Sequence, residues 1–212
     1  MPEPRISVPS LYLASASPRR RDLLAQIGLA CRCLPVDLDE SLLPDEAPAA
    51  YVTRLALDKA RAARTLLDGE GLADAALILG ADTAVVVADE VLGKPRDAAD
   101  AAAMLRRLAG REHSVLTGVA LLGPDAVERL GLSESRVRMR PITEAEIAAY
   151  WATGEPADKA GAYGIQGRGA LFIEAIAGSY SGVMGLPLFE TAALLAAAGL
   201  PALTTEFDLG IH

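Results

Sequence analysis

The sequence predicts an α/β fold, and three observations lead there. Short apolar runs of strand length alternate with segments of helical period along the whole chain. The 212 residues are 51% hydrophobic but only 4% aromatic, so a core must be built from Leu, Val, Ile and Ala. No Pro/Gly/Ser-rich linker divides the chain, which places one domain over 1–212.

The elements follow in order. Leu11–Ser15 predicts a short buried strand. Ser17 is placed as an N-cap and Pro18 as the first residue of a helix that ends at Gly28. A second strand is expected at Cys31–Val36, followed by the acidic stretch Asp37–Glu40 and a long helix over about 48–68. Leu77–Thr83 and Ala84–Val87 form an extended apolar run in which Gly80 suggests a bulge. Asp89-Glu90 predicts a hairpin turn into Val91–Pro95, and Asp97 caps a helix ending at Gly110. Strands are expected at Ser114–Leu122 and Ser135–Arg140, with His113 in a turn. Thr143 and Glu146 form a capping box for a helix carrying Ile147, Tyr150 and Trp151, which Gly154 stops. A loop with Gly161, Gly164, Gly167 and Gly169, a strand at Leu171–Ile176 and a helix over about 187–199 complete the chain.

Composition narrows the function. A net charge of −8 argues against a non-specific nucleic-acid binder but leaves room for a small phosphorylated ligand. Cys31 and Cys33 flank one arginine, too close for an unstrained disulfide and too few for a zinc site, so reduced thiols in a cytosol are expected. The N-terminal MPEPRISVPS has no apolar signal core, and no apolar run reaches ~18 residues, so a cytoplasmic protein with no membrane partner is expected.

Four groups of residues suggest chemistry. Ser15–Arg21 places hydroxyls, a helix N-terminus and three guanidiniums together; the arginines are either solvated charge or an anion site. Lysine is rare, with Lys59, Lys94 and Lys159 standing among 20 basic residues. Lys59 shares the apolar stripe of the long helix with Val52, Leu55, Ala56, Ala62, Ala63 and Leu66, so it either snorkels or meets a buried anion. Lys94, between Gly93 and Pro95, is either an ordinary turn lysine or a cation held over a ligand. Asp82 interrupts the apolar run beside Thr83, and a buried carboxylate there needs a cation, a metal or a structural capping role. Glu40 is either a solvated acid or an oxygen ligand for Mg²⁺. In Asp158–Gly167 the glycine density suggests backbone approaching a ligand, and Gln166 offers a donor and an acceptor to a base edge. Neither His113 nor His212 has a setting suited to nucleophilic catalysis, and no Walker-type loop or dinucleotide fingerprint occurs.

Taken together, SASPRR (15–20), LDE (38–40), LDKA (57–60), GADT (80–83), LGKP (92–95), DKAGAYGIQG (158–167) and GSYSGVMGLPL (178–188) resemble the Maf family in order and spacing. The resemblance covers about 11–199 and departs at Gly182, where the family often has Asn. It implies an elongated two-lobed fold with a central mixed sheet and an active-site cleft, similar to the inosine-triphosphatase type. It also implies hydrolysis of a nucleoside triphosphate to the monophosphate and pyrophosphate with a divalent metal, Mg²⁺ or Mn²⁺.

By the same resemblance Asp82 would be the general base and Glu40 would help hold the metal. Arg20, Lys59 and Lys94 would bind the triphosphate, with Ser15 nearby. Arg19, Thr83 and Gln166 would sit near the base, as in the branch that prefers dTTP and UTP. The role of Lys159 stays open, with pairing to Asp158 or Glu155 as a structural alternative. Two other readings are a purine-directed house-cleaning pyrophosphatase and a nucleotide-binding regulator of septum formation. The presence of both Asp82 and Glu40 favours an active enzyme. A homodimer is compatible with the sequence.

Overall fold

The computed structural model describes residues 10–124 and 127–203; the N-terminal MPEPRISVP segment and His212 lie outside them. A mixed sheet runs in the order β2 (Arg32–Cys33), β1 (Ser10–Leu13), β3 (Ala76–Val87), β5 (Glu112–Leu122), β6 (Glu128–Met139) and β7 (Ile173–Ala177). Strands β1, β2 and β3 are parallel neighbours, and the pairs from β3 to β7 are antiparallel. The short β4 (Glu90–Leu92) pairs with the far end of β3 through a turn in which Ala88 and Asp89 both take positive φ.

Most helices form where periodicity and caps place them. Helix α1 (Pro18–Gln26) starts on proline and ends before Gly28 at φ +76°, but Ser17 holds the N-cap position without a side-chain bond. Helix α2 (Pro48–Glu70) stops at Gly71 in the left-handed region. Asp97 caps α3 (Ala98–Leu108), and Thr143 and Glu146 close their capping box on α4 (Glu144–Trp151). Helix α5 (Tyr180–Met184), which the sequence pattern does not announce, forms around Gly182 and is capped by Ser179. Helix α6 (Leu188–Ala197) closes the chain of elements.

Alternation along β3 divides the core between two faces. Ala76, Ile78, Ala84 and Val86 face α2, which covers one side of the sheet. Leu77, Leu79 and Ala81 face the other side and cluster with α1 and α6, while Val85 and Val87 cluster with α3 and α4. On this second side the two clusters are the cores of the two lobes, and the polar pair Thr83–Thr117 stands where they meet.

Three strand expectations change. Gly80 marks no bulge, because β3 and β5 pair without interruption from Ile78↔Leu122 to Val86↔Ser114. It is glycine because α2 presses onto it: a Cβ there would lie 2.1 Å from the Ala56 carbonyl oxygen, and one on Gly118 only 2.5 Å from that of Val52. Strand β6 begins at Glu128, well before Ser135; it buries Ser133 and Ser135 and exposes Leu130 and Leu132, so the apolar-inward alternation is carried only by Val137 and Met139 near its end. Strand β2 is limited to two residues at the sheet edge.

This contact is testable. Gly80→Ala should destabilise the protein by about 1–3 kcal/mol through overpacking against a backbone that cannot yield. Gly69→Ala, on α2 itself with no neighbour within 4 Å, should be neutral or stabilising by up to ~1 kcal/mol. Urea unfolding of both variants reads the difference, and equal stabilities would contradict the close approach.

Candidate active site

The cleft arises from a gap in the sheet. On one edge of β3, β1 covers residues 76–79 and β4 covers residues 85–87, leaving the stretch between them unpaired. The other edge is held by β5 throughout. A cleft of about 930 Å³ opens at this gap, lined among others by Ser15, Arg19, Arg20, Glu40, Lys59, Asp82, Thr83, Lys94 and Gln166. All nine sequence-derived candidates are thus brought together, although they come from six separate segments.

Asp82 projects from the gap toward α2. It is buried, and Lys59 Nζ donates to its Oδ1 at 2.6 Å. Lys59 therefore meets a buried anion and does not snorkel. The same ammonium lies 2.6 Å from Glu40 Oε1, so one cation joins two carboxylates. Their proton affinities are driven apart. Burial raises Asp82 above the ordinary carboxyl range despite the opposing charges of Lys59 and Arg20, and Glu40 adds to the rise. Burial would raise Glu40 too, but its bond to Lys59 and the charges of Lys59, Lys94 and Arg20 outweigh that and hold it low. Tyr51 steadies the acidic segment by donating to the Glu40 carbonyl at 2.9 Å, and burial pushes its phenol up to about 12.

Arg20 enters from α1 on the opposite face. Its Nε donates to the Gly185 carbonyl at 2.8 Å, Nη1 to Ser15 Oγ at 3.0 Å and Nη2 to Thr83 Oγ1 at 3.4 Å. A guanidinium has five N–H groups, so two remain for a ligand. Burial lowers its proton affinity, partly offset by Asp82. Ser15 Oγ also accepts from the Ser17 amide at 3.1 Å, which leaves its own hydrogen free to donate. Of the three arginines, Arg21 pairs with exposed Asp22, while Arg19 bridges from α1 to Asp158 at 3.2 Å. Lys94 is exposed at the cleft rim and makes no ion pair among the described residues.

The glycine-rich segment closes the cleft on the side of Arg19, and its glycines have a reason other than ligand approach. A Cβ on Gly161 would strike Val85, one on Gly167 would lie 2.7 Å from the Glu155 carboxylate, and one on Gly169 only 2.2 Å from the Gly164 carbonyl. They let the loop pack on itself and on β3. Glu155, a residue without a local sequence signal, anchors it by accepting from the Arg168 and Gly169 amides and from Tyr150 Oη. Lys159 pairs with both Asp158 Oδ1 and the Glu155 carbonyl, and its stem packs on Gly164. Gln166 is exposed within the cleft lining, with extended backbone.

His113 is not in a turn. It lies on β5, 4% exposed, with Nε2 at 2.6 Å from Tyr163 Oη and the two rings edge to face. Tyr163 lines the cleft, so this bond ties the glycine loop to the sheet.

Comparison with known proteins follows the same outline. The family model described as Maf-like protein matches residues 10–198. The chain is 52% identical to a dTTP/UTP pyrophosphatase of Alkalilimnicola ehrlichii, over 88% of this chain and 92% of that one. It is 53% identical to a protein of the same name from Aromatoleum aromaticum (90% and 96% covered) and 54% identical to one from Burkholderia pseudomallei (91% and 95% covered). Such coverage takes in every segment that lines the cleft.

Burial holds the His113 imidazole down to about 4, whereas an unfolded imidazole titrates near 6.5. The unfolded state thus binds the extra proton, and the stability from a neutral buried ring is present above pH ~6.5 and lost as pH falls toward ~4. The loss is on the order of 3 kcal/mol. His113→Phe should flatten the fall in unfolding free energy between pH 7 and pH 4 relative to wild type, as read by urea titrations at each pH. Identical slopes would show that the ring is not buried in its neutral form.

Proposed function

The chain belongs to the Maf family, and from that premise we propose that it hydrolyses dTTP and UTP to the monophosphate and pyrophosphate. The observation that carries the reading is the single ammonium of Lys59 shared between the Asp82 and Glu40 carboxylates in a cleft that also presents Arg20 and Lys94. Separated cations of this kind suit a whole triphosphate chain, whose charge they offset as phosphorus is attacked.

In this reading Asp82 is the general base. Its raised proton affinity makes it the better acceptor of the two acids, and Glu40 stays ionised beside it. Asp82 takes the proton of a water as the water oxygen attacks the α-phosphorus. The bond to the bridging oxygen breaks, and pyrophosphate leaves. Arg20, Lys59 and Lys94 hold the phosphates, and the free hydrogen of Ser15 donates to one of their oxygens.

Asp82 and Glu40 also fit a divalent cation, Mg²⁺ or Mn²⁺. Two carboxylates leave most ligand positions to water and phosphate oxygens, the pattern Mg²⁺ uses on nucleotides, and such an ion would supply charge neutralisation. Among the described residues no third acid, His or Cys joins them.

Arg19, Thr83 and Gln166 are assigned to the base. The Gln166 amide can meet the adjacent carbonyl and N–H of uracil or thymine. We place the enzyme in the cytoplasm, where Cys31 and Cys33, free thiols in the structure, stay reduced. Among the described residues no helix is long and apolar enough to cross a membrane.

Asp82→Asn keeps the side chain's shape and removes the base. Turnover of dTTP with Mg²⁺ should fall by ~10²–10⁴, with circular dichroism and equilibrium dTTP binding retained. Near wild-type pyrophosphate release would remove Asp82 from the mechanism and leave Glu40 as the base. In the wild-type reaction phosphorus NMR should show pyrophosphate and monophosphate; orthophosphate with a diphosphate would refute the cleavage site.

A further inference from the structure

Thr117 lies in the middle of β5, 1% exposed, directly across from Thr83 of β3. Its Oγ1 stands 2.8 Å from the Gly182 carbonyl oxygen and 3.0 Å from Thr83 Oγ1. A carbonyl oxygen cannot donate, so the hydrogen in the first contact belongs to Thr117. A hydroxyl has one hydrogen, so the second contact must be donated by Thr83. Arg20 Nη2 faces Thr83 Oγ1 from the other side, and a guanidinium only donates. The direction of the chain is therefore set: Arg20 to Thr83, Thr83 to Thr117, Thr117 to Gly182.

Helix α5 and the residue after it hold both ends. The Gly182 carbonyl receives Thr117, and the Gly185 carbonyl receives Arg20 Nε. Gly182 is itself wedged, since a Cβ there would meet Ser133 Oγ and Ser179 Cβ at 3.1 Å. Reversing the chain would leave Thr117 Oγ1 and the Gly182 oxygen 2.8 Å apart with no hydrogen between them.

We infer that Thr117 is a positioning residue for base selection: by taking the hydrogen of Thr83 it leaves that residue only a lone pair to offer the cleft. A lone pair matches the imide N3–H of uracil and thymine. It opposes N3 of cytosine, which is itself an acceptor. The inference rests on the assignment of Thr83 to the base.

The test is Thr117→Val, close to isosteric and without the hydroxyl, compared with wild type on UTP and CTP. With its hydrogen released, Thr83 can turn a donor into the cleft. The ratio of kcat/KM for UTP over CTP should fall about tenfold, chiefly through KM, while circular dichroism is retained. Thr117→Ser, which keeps the hydroxyl, should restore the ratio. Thr117→Ala removes the same hydroxyl and makes the same comparison if the valine variant does not fold. An unchanged ratio, with both substrates slowed alike, would overturn the positioning role. If wild type itself shows no preference for UTP over CTP, the assignment of Thr83 to the base fails first, and the inference falls with it.

Discussion

The site depends on how closely α2 lies on the sheet. Gly80 on β3 and Gly118 on β5, the latter directly across from Asp82, carry no side chain, and the backbone of α2 occupies the space. Ala56 touches Gly80, and Lys59 follows Ala56 by about one helical turn; Asp82 follows Gly80 by one strand repeat on the same face. The approach that fixes one pair of residues brings the other into a 2.6 Å contact. A helix held a few ångströms further out by alanine side chains would leave an unpaired ammonium and an unpaired carboxylate, each in an apolar setting.

That contact is a poor way to stabilise a fold. Taking two charges out of water costs several kcal/mol per ion, and their attraction repays it only with good geometry and further hydrogen bonds. Here the geometry is good, yet the pair is open to a cleft on one side and shared with the half-buried Glu40. Such an arrangement makes sense where a charged ligand completes it. The divergent proton affinities of Asp82 and Glu40 follow from position alone: one carboxyl sits deep on β3, the other on a partly exposed segment reached by three cations.

The gap in the β3 edge is the second determinant. Because β1 and β4 occupy the same edge but do not meet, the strand is accessible where Asp82 and Thr83 point to opposite faces. One cleft can therefore hold acid–cation chemistry on the α2 side and a hydroxyl chain on the α1 and α5 side. The glycine loop completes the enclosure, fastened by Glu155, by Tyr150 and by the bond between His113 and Tyr163.

Sequence alone determined what is local or periodic. The strand-and-helix alternation, the proline start of α1, the caps of α3 and α4 and the presence of Lys59 in an apolar stripe are all contained in spacings of a few residues. So is the conflict of an acid inside the β3 run. Only the tertiary structure decided which anion Lys59 meets, because its partners lie 19 and 23 residues away along the chain. It also decided why Gly80, Gly161, Gly167 and Gly169 are glycine, since each is defined by an atom from elsewhere that a Cβ would strike. His113 looked like a turn residue because a polar side chain beside Arg111 and Glu112 carries no sign of burial; its partner Tyr163 is 50 positions away. A one-dimensional pattern records how a residue relates to its near neighbours. The close approaches that give this cleft its charge and shape are made between distant segments, so they become visible only when the chain is folded.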